Sequence, residues 1–166
     1  ELLDSRVGVV SLNRPKALNA ADFAMNSKIL DQVVKWEEDA STDTIILRST
    51  SERAFCSGGD VKAIALALQK DKGTPLPPQA LGEEYKLILR LSESDADTVA
   101  FMDGVTMGFG LGLATSCKYR VATERTLIAM PEAAIGLFPD VGFAFRTRST
   151  AAYGLYLALT GARLGR

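Results

Sequence analysis

Short β-rich runs alternate with stretches of helical spacing along the whole chain, and this alternation constrains the fold more than any other feature. Val7–Leu12 predicts a strand, closed by the turn signal Asn13-Arg-Pro15. Asp22–Asp39 then carries Met25, Ile29, Val33 and Trp36 at the three- and four-residue intervals that put side chains on one helix face. Thr44–Arg48 predicts a second strand, Val61–Leu68 and Leu81–Leu91 predict helices, and Thr98–Met102 predicts a third strand. Tyr119–Thr123 and Leu127–Met130 read as short strands. Pro131 suits a first helical position, Phe138–Gly142 breaks that segment, and Ala151–Thr160 reads as a last helix. Such an order implies an α/β fold. Lys70–Gln79, with Gly73, Pro75, Pro77 and Pro78, reads as the one linker or mobile loop, and no internal repeat shows a clear period. The 166 residues make one domain, 1–166, able to bury about 70% of the surface that the unfolded chain exposes.

Charge narrows the function classes. Nineteen basic residues balance twenty acidic ones for a net charge of −1, so neither nucleic acid nor an anionic membrane surface is an expected partner. No run approaches the roughly 18 apolar residues of a membrane span. The chain holds no histidine, which removes Ser-His-Asp and Cys-His nucleophile pairs and histidine metal sites. Acid–base chemistry must then come from Asp, Glu, Lys, Tyr or the backbone. Cys56 and Cys117 have no metal-site spacing and are expected as buried free thiols. Neither a metal nor a separate cofactor is expected. The chain begins at Glu1 rather than Met and stops at Arg166 in helix-like sequence, so we expect a fragment, and no signal or transit peptide is visible in it.

Two glycine-rich strand-to-helix junctions stand out: Cys56-Ser-Gly-Gly-Asp60 and Met107-Gly-Phe-Gly-Leu-Gly112. Glycine lets backbone approach a ligand closely, and a helix start offers unsatisfied N–H groups. Two such junctions facing one point would form an oxyanion hole; taken singly, each reads equally as a tight connection. The second is not a dinucleotide fingerprint, because its third glycine comes one residue early. Glu132 and Asp140 form an acidic pair among apolar neighbours, a setting that shifts carboxylate pKa values, although helix capping accounts for such carboxylates as well.

Asn13–Ala20, Ala54–Asp60, Asp103–Gly108 and Ala129–Glu132, in this order, resemble the crotonase (enoyl-CoA hydratase/isomerase) superfamily. Met130–Gly142, Glu83-Glu-Tyr85 and Tyr119–Glu124 are most similar to its 3-hydroxyisobutyryl-CoA hydrolase branch. The resemblance implies a spiral of ββα units and a carboxy-terminal helical part that this chain would lack. It also implies that the N–H groups of Gly59 and Phe109 hold a thioester oxygen, that Glu132 attacks the carbonyl or activates water, and that Asp140 positions the substrate hydroxyl or handles a proton. Glu84 would contact the acyl end. Lys16, Ala17 and Leu18, with Ala54, Gly58 and Asp60, would bind along the coenzyme A path. A hydratase would need two glutamates; the first falls at Gly112 and is missing, whereas the hydrolase pattern pairs Glu132 with Asp140. Phe109 departs from the family's glycine, which would bring a benzyl group near the pocket and would strain the backbone if the position needed a glycine-only φ. Hydrolysis of a short branched hydroxyacyl-CoA in valine catabolism is thus the expected function. Another crotonase activity, isomerase or hydratase-like, and a non-catalytic acyl-CoA-binding subunit remain as alternatives. The resemblance further implies an acyl-CoA substrate as partner, a trimer or dimer, and a mitochondrial matrix location in a eukaryote, otherwise the cytoplasm.

Overall fold

A computed structural model describes residues 2–3, 6–38 and 42–165. Asp39, the expected end of the first helix, lies outside the described residues, as do the terminal residues Glu1 and Arg166. Among the described residues the strands form two sheets. The larger has the order β1 (Leu2–Leu3), β2 (Val7–Leu12), β3 (Thr44–Ser49), β5 (Asp97–Met102) and β7 (Tyr119–Ala122). Only β1 runs antiparallel; β2, β3, β5 and β7 are parallel, with Val9 opposite Ile46 and Ile46 opposite Val99. The period of two along β3 and β5 turns Ile45, Leu47, Thr98, Ala100 and Met102 into the interior.

The smaller sheet is wholly parallel, in the order β4 (Ala54–Cys56), β6 (Val105–Met107), β8 (Leu127–Ala129). The chain visits the two sheets alternately. β3 in the large sheet is followed by β4 in the small one and then α2 (Val61–Lys70); β5 and β6 are followed by α4 (Phe109–Ser116); β7 and β8 by a 3-10 turn, Pro131–Ile135. This is the expected ββα spiral within an α/β fold.

α1 (Phe23–Glu38) buries Asn26, Ile29, Val33 and Trp36, a 3-4-3 stripe that faces the core. It packs against α3 (Leu76–Ser92), which buries Ala80, Glu84, Leu87, Ile88 and Leu91. Trp36 lies so close over β2 that a side-chain carbon on Gly8 would come within 2.7 Å of its ring, so glycine is required there. Cys56 and Cys117 are buried free thiols, and burial pushes each up to about 12.

Three expectations need correction. β4 and β6 were not expected as separate strands. The loop expected over Lys70–Gln79 is much shorter, because α2 reaches Lys70 and α3 starts at Leu76. Pro77 and Pro78 lie in the first turn of α3, where a missing N–H costs nothing. The segment after Pro131 is a five-residue 3-10 turn closed by left-handed Gly136. A short α5 (Phe143–Arg146), the expected last helix α6 (Ala151–Thr160) and two further 3-10 turns, Pro15–Ala17 and Arg148–Thr150, complete the described elements. No described helix is long and apolar enough to cross a membrane.

Candidate active site

All three strands of the small sheet end at one place. β4 runs into Ser57-Gly58-Gly59, β6 into Gly108-Phe109, and β8 into Met130-Pro131-Glu132. Gly58 has φ +119°, and a side-chain carbon there would lie 3.4 Å from the Met107 carbonyl and 3.9 Å from the Phe109 nitrogen. The two glycine junctions therefore adjoin. Ala21 donates to Gly58 O and accepts from the Asp60 N–H, which bypasses the N–H of Gly59. Phe109 opens α4, so its N–H is one of the donors an α-helix leaves free. Among the described residues neither N–H meets an acceptor. Left-handed φ falls on Gly108 (+51°), not on Phe109, and the Phe109 side chain is buried in the core. The expected strain at Phe109, and its benzyl group in the pocket, are thus corrected: the residue supplies an amide and directs its ring inward.

Carboxylates occupy the space that the glycines leave open. A side-chain carbon on Gly108 would lie 2.7 Å from Glu132 Oε1, and one on Gly59 would lie 2.7 Å from Glu84 Oε1. Glu84 is 6% exposed. Burial, then the charge of Asp140, pushes its carboxyl up to about 8, so it is a neutral acid at pH 7. Burial also raises the pKa of Glu132; a backbone hydrogen bond within its own residue opposes the shift and Asp140 adds to it. Glu132 Oε2 is buried and has no hydrogen-bond partner among the described residues. Such an oxygen is costly to leave unpaired. Asp140 accepts a 2.6 Å hydrogen bond from the Tyr85 hydroxyl. Burial, followed by that hydrogen bond and the charges of Asp140 and Glu84, pushes Tyr85 up to about 12, so it stays a donor. Asp140 sits in a tight turn: Val141 has φ +42°, Gly142 has φ +72°, and the Phe143 N–H donates to Asp140 O at 2.8 Å.

The remaining expected residues lie beside this group. The Leu18 carbonyl accepts from the Ser57 N–H at 3.0 Å and the Ala17 carbonyl from Ser57 Oγ at 3.4 Å, which lays the segment carrying exposed Lys16 along the end of β4. Ala54 is fully buried. Asp60 caps α2 by accepting from the Ala63 N–H at 3.0 Å and pairs with Arg14 at 2.9 Å, so both of its oxygens are engaged in holding the junction. Glu84, Glu132 and Asp140 come together; Asp60 does not join them. The roles of Tyr85 and Val141 were not foreseen, nor was that of Asn19, whose Nδ2 donates to Ser49 Oγ, Ala54 O and Phe55 O. For Tyr85 the signal was its place beside Glu84. No group of His, Cys, Asp or Glu among the described residues is arranged to hold a metal ion. A cleft of about 620 Å³ beside Glu37 and Arg90 lies elsewhere on the molecule.

The sequence pattern of the enoyl-CoA hydratase/isomerase family matches residues 7–166. The chain is 48% identical over 160 residues to the mitochondrial 3-hydroxyisobutyryl-CoA hydrolase of Danio rerio, an alignment that covers 96% of this chain and 41% of that protein. It is 46% identical to the Homo sapiens enzyme of the same name, over 95% of this chain and 40% of that protein. The chain thus spans about two-fifths of the length of these curated relatives. Among solved structures, a carnitinyl-CoA dehydratase from Mycobacterium thermoresistibile superposes with TM-score 0.90 at 35% identity, covering 98% of this chain and 48% of that one. An enoyl-CoA hydratase from Rhodobacter sphaeroides gives TM-score 0.89 at 35% identity, over 96% of this chain and 48% of that one.

Proposed function

The chain belongs to the enoyl-CoA hydratase/isomerase family, and from that premise we propose that it carries the catalytic groups of a hydrolase for a short branched hydroxyacyl-CoA such as 3-hydroxyisobutyryl-CoA. The observation that carries this reading is the Glu132 carboxylate lying against Gly108, with one buried oxygen unpaired among the described residues, beside the adjoining amides of Gly59 and Phe109. The curated relatives named as 3-hydroxyisobutyryl-CoA hydrolases support the substrate class.

In this mechanism the thioester oxygen accepts from the N–H groups of Gly59 and Phe109. Negative charge that develops on that oxygen is stabilised there, and one such donor is worth about 3–4 kcal/mol in the transition state. Glu132 then bonds to the carbonyl carbon itself, or takes a proton from a water that does. By either route the C–S bond breaks, coenzyme A leaves as the thiolate and gains a proton, and water supplies the hydroxyl of the free acid. Glu84, as a neutral acid at the acyl end, donates a hydrogen bond to the substrate. Asp140 orients the substrate hydroxyl or moves the proton. Lys16, Ala17, Leu18, Ala54 and Gly58 border the path of coenzyme A. The substrate brings coenzyme A with it, so the step needs only substrate and water. A hydratase-type second glutamate has no room at position 112, where an added side-chain carbon would lie 2.5 Å from Val141 Cγ2; this favours the hydrolase over hydration. The mitochondrial relatives support a mitochondrial setting in a eukaryotic source.

The test is thiol release from 3-hydroxyisobutyryl-CoA by the full-length protein, with crotonyl-CoA hydration measured in the same preparation. Glu132→Gln and Asp140→Asn should each lower kcat for thiol release by about 10²-fold or more while coenzyme A binding persists. Hydration of crotonyl-CoA without thiol release overturns the reading in favour of a hydratase. Coenzyme A binding with neither activity overturns it in favour of a binding subunit.

A further inference from the structure

Val141 is a β-branched residue at φ +42°, a backbone region that such residues rarely enter. It is 3% exposed, and it follows Asp140 directly. The space in front of its side chain is the missing side chain of Gly112 on α4: a carbon added there would meet Val141 Cγ2 at 2.5 Å, Val141 Cβ at 2.6 Å and Ile88 Cδ1 at 3.2 Å. From the other side, the Tyr85 hydroxyl of α3 holds Asp140 Oδ2 at 2.6 Å. An unfavourable backbone conformation persists only where packing over-determines it. Here the packing is the seat that Gly112 and Ile88 provide.

From this geometry we infer that Gly112 and Val141 act as one positioning device: the Val141 side chain seated on Gly112 holds the strained turn and sets where the Asp140 carboxylate stands relative to Glu132 and Glu84. The inference rests on the proposed catalytic role of Asp140. Gly112 is therefore more than a position that lacks a glutamate. Its bareness is what lets Val141 lie down and Asp140 reach the site. Loss of the seat moves Asp140 while leaving the amides of Gly59 and Phe109 and the path of coenzyme A in place, so it acts on kcat rather than on KM. A displacement of about 1 Å is enough to cost on the order of 10²-fold in rate.

The experiment is a double-mutant cycle in the full-length protein, reading kcat and KM for thiol release from 3-hydroxyisobutyryl-CoA. Gly112→Ala forces Val141 out of its seat and should lower kcat more than about tenfold with KM little changed. Val141→Gly suits the left-handed backbone and so keeps the fold, but it unpins the turn, and kcat should again fall. Because the two substitutions break the same contact, the double variant should be no worse than Val141→Gly alone. Multiplying losses in the double variant overturn the inference, as does wild-type kcat in Val141→Gly, which decides the matter even where Gly112→Ala fails to fold. Asp140→Asn separates the two levels. Full activity in Asp140→Asn sinks the catalytic reading of Asp140, whereas loss in Asp140→Asn with full activity in Val141→Gly sinks only the positioning device.

Discussion

Glu84 holds a proton that an ordinary glutamate has lost at neutral pH, and this has a measurable cost. Its carboxyl rises from 4.5 to about 8 on folding, through burial first and the charge of Asp140 second. The folded chain therefore binds this proton more tightly than the unfolded chain does. The resulting stability is complete below about pH 4.5 and is lost as pH rises towards about 8. Glu84→Gln removes the titration but keeps a neutral side chain of the same shape. Denaturant midpoints should then diverge across that window, with the wild type falling relative to the variant as pH rises. A constant gap between the two from pH 4.5 to about 8 would show that Glu84 is not the proton-holding group. The cause of this behaviour was only partly legible in the sequence. Glu132 and Asp140 stood out by their apolar neighbours and Glu84 by resemblance, but the contact of Glu84 with Gly59 joins residues from two distant elements. The bond from Tyr85 to Asp140 spans 55 residues and leaves no local pattern.

At the scale of elements, α1 shows how a readable stripe can hide an anomaly. Its buried face was visible from spacing at Ile29, Val33 and Trp36, yet the same face contains Asn26 at 0% exposure. Neither Nδ2 nor Oδ1 of Asn26 has a hydrogen-bond partner among the described residues. A buried polar group without a partner costs about 1–3 kcal/mol, and an apolar group of the same shape removes that penalty. Asn26→Leu should thus raise the urea midpoint by the equivalent of about 1 kcal/mol or more; a lower midpoint would mean that Asn26 is satisfied by ordered water. Long elements such as α1, β2 and α6 were legible because several turns or pleats repeat one pattern. β4 and β6 were not, because each is three residues long and runs straight into a glycine-rich junction, whereas β8, equally short, was set off by Pro131; with β4 and β6 went the second sheet. The prolines near 77 misled for a different reason: the composition of a loop and the first turn of a helix are alike in tolerating a missing N–H.

Considered whole, the molecule leaves several large apolar side chains uncovered after its small sheet. Phe138 is 73% exposed, Phe145 64%, Tyr153 73%, Leu155 61% and Leu159 70%, all within the turn and helices that follow the small sheet. Apolar side chains left in water favour association, which takes them out of it. Prepared by itself, this 166-residue chain should self-associate at micromolar concentration, and Tyr153→Glu with Leu159→Glu should return it to the monomer in sedimentation velocity; a monomeric parent chain overturns the expectation. The site lies where three parallel strands deliver their ends to one point. The two N–H groups at Gly59 and Phe109 belong to the main chain, and every codon but that for proline writes an N–H. At position 109 drift over generations can reword the letter without erasing the amide, whereas the Glu84 carboxyl holds position 59 to glycine. The carboxyl groups have no such insurance, since one base change in a glutamate codon is enough to rewrite them. On the proposed function, a lineage built on this fold inherits its two amide donors as scaffold and its carboxyl groups as text open to revision.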